Sequence, residues 1–372
     1  MSVLPKARAL ALFSGGLDSV LAARLVADQG LDVACLHFVS PFFGQPERIP
    51  YWQRVYGLRI RPVDVGEDYV RMLVERPEHG FGSVLNPCVD CKIIMLRAAA
   101  AIMREEDACC VISGEVLGQR PMSQRRDTLN IIIRDAGLKG RLLRPLCAQH
   151  LDPTEPELAG LIDRSRLLDI SGRGRKRQLA LAKEYGFKDI PTPGGGCRLT
   201  EKENARSYWP VLRHMPDPCA VDFHLANTGR QYWRLDGEER PRWLIVGRNQ
   251  ADNDALMRLA GASDLLFKTR DFPGPIALGR HAAGAATAWP PEAVASAAAF
   301  VSSYSGKAVR HAAESGGSGA VSGASSVAVR VHPGSLDEPG EVLTVTPERG
   351  ASWREHTWEE ARDAVKAETR NG

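Results

Sequence analysis

One short loop narrows the folds open to this chain. Ser14-Gly15-Gly16-Leu17-Asp18-Ser19 lies between an apolar run, Ala9–Phe13, that reads as a buried strand, and Asp18–Gln29, which reads as a helix. Two adjacent glycines let backbone N–H groups come close to an oxyanion. The helix N-terminus behind them adds partial positive charge, and the Ser14 and Ser19 hydroxyls add donors. The loop lacks the Lys-Ser/Thr pair of a Walker A motif and the spacing of GxGxxG. The plainer alternative is a tight strand-to-helix turn in which Asp18 only caps the helix.

The first half continues to alternate. Leu31–Val39, Leu58–Val65, Ala108–Ser113 and Leu142–Cys147 read as strands, with helices expected over Glu47–Tyr56, Lys92–Arg104, Glu155–Ile162 and Arg175–Tyr185. This pattern predicts an α/β domain with a doubly wound parallel sheet. After about residue 205 the βαβ spacing is lost. Gln231–Leu235, Trp243–Val246, Leu265–Thr269, Ser326–Val331 and Glu341–Thr346 read as short strands, Pro291–Ser302 as a helix, and the whole as a smaller α+β domain. The expected organisation is 1–205, 206–350 with a flexible Gly/Ser-rich loop over 314–326, and a charged helical tail over 351–372.

At 372 residues the chain is too long for one comfortable core. A formal charge of +3 is too even to imply nucleic acid by itself, so any basic surface must come from local clustering. The N-terminal stretch shows no signal-peptide pattern and no apolar run is long enough to span a membrane, so a cytoplasmic protein is expected. Eight cysteines in a chain of this size do not make a secreted disulfide scaffold.

Three of those cysteines stand in suggestive settings. Cys88 and Cys91 form a CxxC just before a helix, where the helix field partly activates thiols, and Cys197 ends Pro193-Gly194-Gly195-Gly196. Three thiolates suit a [4Fe–4S] cluster with one open iron, or a redox pair of Cys197 with Cys88 or Cys91, one carrying a persulfide; the plainer reading is structural zinc, or three unrelated thiols. Cys35, Cys109 and Cys110 read as small buried hydrophobes, and Cys147 and Cys219 carry no assignment.

SGGxDS after a first strand matches the PP-loop of ATP pyrophosphatases at every fixed position. The resemblance implies ATP cleaved between its α and β phosphates. Ser14, Gly15, Gly16, Asp18 and Ser19 would grip the nucleotide, with Asp18 also a partner for Mg²⁺. Adenine would lie at the strand ends near Phe38 and Gly114. A PP-loop, a CxxC and a late Gly-Gly-Cys together resemble the tRNA thiouridine synthetases. Ser113-Gly-Glu-Val-Leu-Gly-Gln-Arg-Pro-Met-Ser-Gln124 is similar to the ThiI-type segment with a Gly-Gln turn and a later Ser-Gln, and Arg144-Pro145-Leu146 to that family's "RPL" strand end. This resemblance covers roughly residues 8–205, without a THUMP-like or rhodanese-like region. It implies ATP-dependent thiolation of a tRNA uridine. Cys88, Cys91 and Cys197 would hold the sulfur-carrying centre, and a cysteine desulfurase or free sulfide would be the donor.

Val246–Asp254 and Asp264–Gly274 are similar to the NFACT RNA-binding domain (NFACT-R), over roughly 230–348. Leu266 and Lys268 stand where that family usually has Trp and His, and Pro275-Ile276 where it has Ser-His. The resemblance implies RNA contacts from Arg248, Asn249, Lys268 and Arg270. Two basic runs add to this. Residues 120–144 carry seven Arg and Lys against Asp127 and Asp135, and 164–188 carry eight against Asp169 and Glu184. Arg120, Gln124, Arg125, Arg126, Arg173 and Arg175 are the candidates there, against the plainer reading of a solvated face. Two other classes stay open: a PP-loop amidating enzyme acting on an adenylated small molecule, and a non-enzymatic RNA-binding or ribosome-associated protein.

Overall fold

A computed structural model describes residues 7–191, 196–235, 241–284, 288–315, 326–350 and 352–370. The chain divides into two compact units, 1–201 and 202–372. The expected Gly/Ser loop falls almost wholly on 316–325, outside the described residues, as do Gly194 and Gly195.

The first unit holds strands β1 (Arg8–Leu12), β2 (Asp32–Val39), β3 (Arg59–Asp64), β4 (Cys110–Ile112) and β5 (Leu142–Leu143). They form one parallel sheet in the order β3-β2-β1-β4-β5. Its helices are α1 (Leu17–Ala27), α2 (Ile49–Tyr56), α3 (Gly66–Glu75), α4 (Cys88–Glu105), α5 (Arg126–Asp135), α6 (Glu155–Leu158) and α7 (Lys176–Glu184). Side chains alternate across each strand, so both faces are covered. Ala9, Ala11, Cys35 and Ile112 pack with α1, α2 and α7 residues on one face; Leu10, Leu12, Leu36 and Val111 pack with α4 and α5 on the other.

Strand order reverses between β1 and β4. Ligands of open α/β sheets bind outside the strand carboxyl ends at such a reversal. The glycine loop follows β1, and Ser113–Glu115 follows β4.

Some expectations need correcting. The fifth strand is only Leu142–Leu143, because the chain turns at Arg144. The expected helix over Glu155–Ile162 is a single turn, Glu155–Leu158, with a Thr154/Glu157 capping box. Helix α4 begins at Cys88, so the CxxC lies inside its first turn. Helix α3 was not anticipated; Tyr69, Val70 and Leu73 form its buried stripe.

The second unit is an antiparallel six-stranded sheet in the order β11-β10-β8-β9-β7-β6. Its strands are β6 (Arg230–Arg234), β7 (Arg242–Val246), β8 (Leu265–Thr269), β9 (Ala277–Gly279), β10 (Val327–Pro333) and β11 (Glu341–Val345). Helices α8 (Lys202–His214), α9 (Ala220–Ala226), α10 (Gln250–Leu259), α11 (Pro291–Ser302), α12 (Gly306–Ser315) and α13 (Trp358–Arg370) accompany it. Trp233 and Trp243 are register partners and stack with centroids 5.1 Å apart. Arg280 is buried between Asp222 at 2.7 Å and Asp264 at 2.9 Å, which leaves its charge compensated. The stretch expected as a tail joins this unit: Trp353 is buried in its core and Arg354 bridges Trp233. Among the described residues no helix is long and apolar enough to cross a membrane.

Candidate functional site

The glycine loop is held open by its own hydroxyls. Ser14 Oγ donates to Ser19 Oγ at 3.3 Å, Ser19 Oγ donates to the Gly16 carbonyl at 2.7 Å, and the Gly16 N–H donates to Ser14 Oγ at 3.3 Å. Gly15 has φ +77°, and a Cβ there would lie 2.4 Å from Cζ2 of Trp52. Only glycine satisfies both demands. A Cβ on Gly114 would lie 2.6 Å from the carbonyl carbon and oxygen of Asp18, so the end of β4 passes tightly against the start of α1.

Beneath the loop, His37 is buried in one tautomer. Its Nδ1–H donates to the Phe13 carbonyl at 2.9 Å, and its Nε2 accepts the Gln45 N–H at 2.8 Å. Burial holds its pKa below the ordinary value despite the bond to Phe13. Trp52 closes over His37 and Phe13 edge-on.

Asp18 lies among polar side chains. Gln119 Nε2 donates to its Oδ2 at 3.1 Å, while Oδ1 is buried and has no hydrogen-bond partner among the described residues. Gln178 of α7 is buried beside it, but neither of its amide atoms reaches hydrogen-bond geometry. Burial raises the Asp18 pKa; Gln119, Arg175 and Arg120 oppose the rise. An unpartnered carboxylate oxygen beside donors for phosphate fits a hard cation carried by a nucleotide. The backbone N–H groups and serine hydroxyls where the loop enters α1 fit the phosphates themselves.

Two expected nucleotide contacts differ in kind. Gly114 borders Asp18 through backbone, whereas the Phe38 side chain packs into the core beside Leu36 and Val65, so only its backbone reaches the strand end. Buried between β4 and β5, Arg144 Nε donates to Glu115 Oε2 at 3.0 Å, and Ser113 Oγ donates to the same oxygen at 3.1 Å.

The three singled-out cysteines lie within electrostatic reach of one another and of Tyr69. Asn86 Nδ2 donates to Cys88 Sγ at 3.2 Å, and Arg198 N–H donates to the Phe42 carbonyl at 2.9 Å, anchoring the Cys197 segment. Burial pushes the Cys91 thiol up to about 12 and raises Cys197 as well. The expected activation by the helix terminus is therefore outweighed by desolvation at Cys91. Among the described residues no three His, Cys, Asp or Glu side chains stand close enough to share one ion. Cys109 is a further correction: it is half-buried, its Sγ lies 3.8 Å from that of Cys110, and this contact helps lower its thiol to about 7.

The two basic runs of the first unit are joined. Leu117 and Ser171 form a parallel bridge, and the Gly172 N–H donates to the Leu117 carbonyl at 2.8 Å. Arg120 and Arg175 both act on Asp18, so parts of each run border the glycine loop. Arg173 is exposed nearby. Other members are engaged within the fold: Arg125 with Asp127 at 3.1 Å, Arg126 with the His150 carbonyl at 2.9 Å, Arg134 with Asp135 at 2.6 Å, and Arg141 with Glu155 at 2.6 Å. Gln124 is buried, and its backbone closes the turn by accepting the Gly118 N–H at 2.7 Å. In the second unit Arg248 pairs with Asp252 at 2.7 Å, Asn249 caps α10 by accepting the Asp252 N–H at 2.9 Å, Arg270 pairs with Asp271 at 3.1 Å, and Lys268 is exposed on β8.

Sequence reasoning missed Gln119, Gln178, His37, Trp52, Tyr69 and Asn86. Gln119 had a signal, since it sits in the quoted Gly-Gln turn. The others are ordinary residues until the fold brings them in.

A family model described as "Thiamine biosynthesis protein (ThiI)" matches residues 5–152. A "Probable tRNA sulfurtransferase" of Finegoldia magna is 31% identical over 161 residues, covering 40% of this chain and 37% of its own. Its namesake in Thermus thermophilus is 33% identical over 150 residues, covering 37% and 34%. That of Thermococcus kodakarensis is 27% identical over 193 residues, covering 50% and 45%. The chain thus spans less than half the length of these curated relatives. A solved structure described as a predicted subunit of tRNA methyltransferase from Methanocaldococcus jannaschii aligns over 48% of this chain and 76% of its own, at 14% identity and a TM-score of 0.32.

Proposed function

We propose that the chain is a cytoplasmic, ATP-dependent tRNA sulfurtransferase that replaces a uridine carbonyl oxygen by sulfur. The observation that carries this reading is the open glycine loop at the sheet's strand-order reversal, in the same unit as three neighbouring thiols. The similarity to proteins named tRNA sulfurtransferase over this unit supports it.

In the proposed reaction the uridine carbonyl oxygen attacks the α phosphate of ATP and pyrophosphate leaves. A sulfur nucleophile then adds at the same carbon, and AMP departs with the oxygen. Backbone N–H groups of Gly15 and Gly16 and the hydroxyls of Ser14 and Ser19 would hold the phosphates. Asp18, oriented by Gln119, would hold the accompanying Mg²⁺. Cys88, Cys91 and Cys197 would hold a [4Fe–4S] cluster, with Tyr69 and Asn86 orienting the thiolates. Such a cluster, three-coordinated by protein, supplies a soft iron site for incoming sulfur. The same thiols also suit persulfide exchange. Arg120, Arg173 and Arg175 would meet tRNA phosphates, and the NFACT-R-like second unit would add RNA contacts.

The test is anaerobic turnover with ATP, Mg²⁺, sulfide and tRNA, followed by nucleotide chromatography and nucleoside mass spectrometry. AMP, pyrophosphate and a thiouridine are expected. Release of ADP and orthophosphate would remove the PP-loop assignment, and AMP formation dependent on ammonia without RNA would favour the amidating class.

A further inference from the structure

Arginines that the motifs single out in the second unit are neutralised, whereas two others are not. Arg248 and Arg270 are held by Asp252 and Asp271. Arg230, which opens β6, and Arg349, which follows β11, have no carboxylate partner among the described residues. Both lie over one ring instead: the guanidinium carbons are 5.4 Å and 4.3 Å from the centroid of Tyr304. Tyr304 is partly exposed just after α11, and its hydroxyl is tied to that of Tyr232, which sets the ring's tilt.

Two of these residues also border open polar depressions of about 400 Å³ each, Arg230 both of them and Tyr304 one. Arg230 and Arg248 form their common wall. One depression runs past Gln231 and Trp233, the other past Asn249, Asn253 and Tyr304. The indole Nε1 of Trp233 is buried at the first without a hydrogen-bond partner among the described residues.

We propose that Arg230, Tyr304 and Arg349 form a binding site for single-stranded RNA, in which a base stacks on the layer that the guanidiniums make with the Tyr304 ring and the guanidinium N–H groups pair with the flanking phosphates. The proposal deepens the RNA reading above and rests on it. Bases stack on aromatic faces and on guanidinium planes, and each unpaired nucleotide offers both a π face and a phosphate. A duplex keeps its base faces stacked inside and offers only the phosphates. Leu266, at the position where the resembling domain carries Trp, is buried in β8 and offers no ring. Tyr304 supplies one on a different element.

The experiment uses the full chain and a fluorescein-labelled single-stranded oligouridylate, read by anisotropy at fixed salt. A duplex of equal length and inorganic tripolyphosphate serve as competitors. Wild type is expected to prefer the single strand, and Tyr304→Leu and Arg349→Glu are each expected to raise Kd roughly tenfold. Arg349 is exposed, so its variant keeps the test valid if loss of the Tyr232–Tyr304 bond disturbs folding. Unchanged affinity in both variants overturns this site alone. Equal competition by tripolyphosphate also overturns it, because no base would then be read. If wild type fails to bind the single strand yet thiolates tRNA with AMP release, this site falls and the proposed activity stands.

Discussion

Gln119 Nε2 donates to Asp18 Oδ2 at 3.1 Å, linking residues 101 apart in sequence. One end of this bond belongs to the glycine loop. The other belongs to the turn that carries Arg120 and leads into Arg125 and Arg126. The carboxylate expected to meet Mg²⁺ is thereby oriented from the segment expected to meet RNA.

Asp18→Asn should abolish AMP formation without lowering the melting temperature. The carboxylate is destabilised by burial, which raises its pKa, so its removal relieves a desolvated charge. Gln119→Ala should lower kcat/KM for ATP by roughly tenfold to a hundredfold, the loss of a hydrogen bond to a charged group. Thermal melts beside AMP assays check both; a large drop in stability for Asp18→Asn would mean that Asp18 serves the fold.

The Glu115–Arg144 pair supports a second expectation. Both residues are almost fully buried. Burial alone would raise the Glu115 pKa, but Arg144, Lys92 and the bond from Ser113 together bring it below the ordinary value. Arg144→Ala leaves that charge buried and unpaired, and should destabilise the first unit by about 3–5 kcal/mol. Adding Glu115→Gln should restore part of the loss. Urea denaturation of the single and double variants measures the coupling, and additive losses would argue against a paired charge.

His214 gives the second unit a pH dependence. Burial lowers its pKa to about 4, and His356, Arg213 and Arg354 push the same way. The folded state therefore binds this proton less readily than the unfolded chain. Stability is present above the unfolded value of about 6.5 and is lost as pH falls towards 4. His214 packs on Trp233 at 5.5 Å, so an aromatic replacement preserves contact. His214→Phe should flatten the acid limb of the second unit's urea midpoints between pH 7 and 4, while an unaltered limb would assign it to the other depressed histidines of that unit, His281 and His356.

What could be read beforehand follows from range. The strand–loop–helix at 8–27 is local, and alternating apolar runs predicted the parallel sheet that the structure has. Helix α3 escaped notice because Gly66, Glu67 and Asp68 open it and only three apolar side chains face inward. A charge count over the basic runs cannot see that Arg144 is buried or that Arg134 and Arg141 meet acids. Trp52, Gln178 and Tyr69 carry no motif. They reach the candidate site only through packing between elements distant in sequence, and only coordinates reveal that.

The cysteines give the last prediction. Cys88 and Cys91 are three apart on α4, so one helix face presents both thiols. Cys197 comes from a distant segment held at Phe42. Burial disfavours the thiolates of Cys91 and Cys197, so a bound metal group must displace their protons and should be taken up more readily as pH rises. Changing any one of the three to Ala should abolish both iron uptake and tRNA thiolation. Cys109→Ser should leave both unchanged, although Cys109 has the lowered thiol, because it lies at the amino-terminal end of β4, away from the glycine loop. Anaerobic reconstitution with iron and sulfide, followed by metal analysis and nucleoside mass spectrometry of each variant, reads both outcomes. Thiolation by a wild type that takes up no iron would leave the persulfide pair as the sulfur carrier. Full activity in Cys197→Ala would remove the cluster and the persulfide alike.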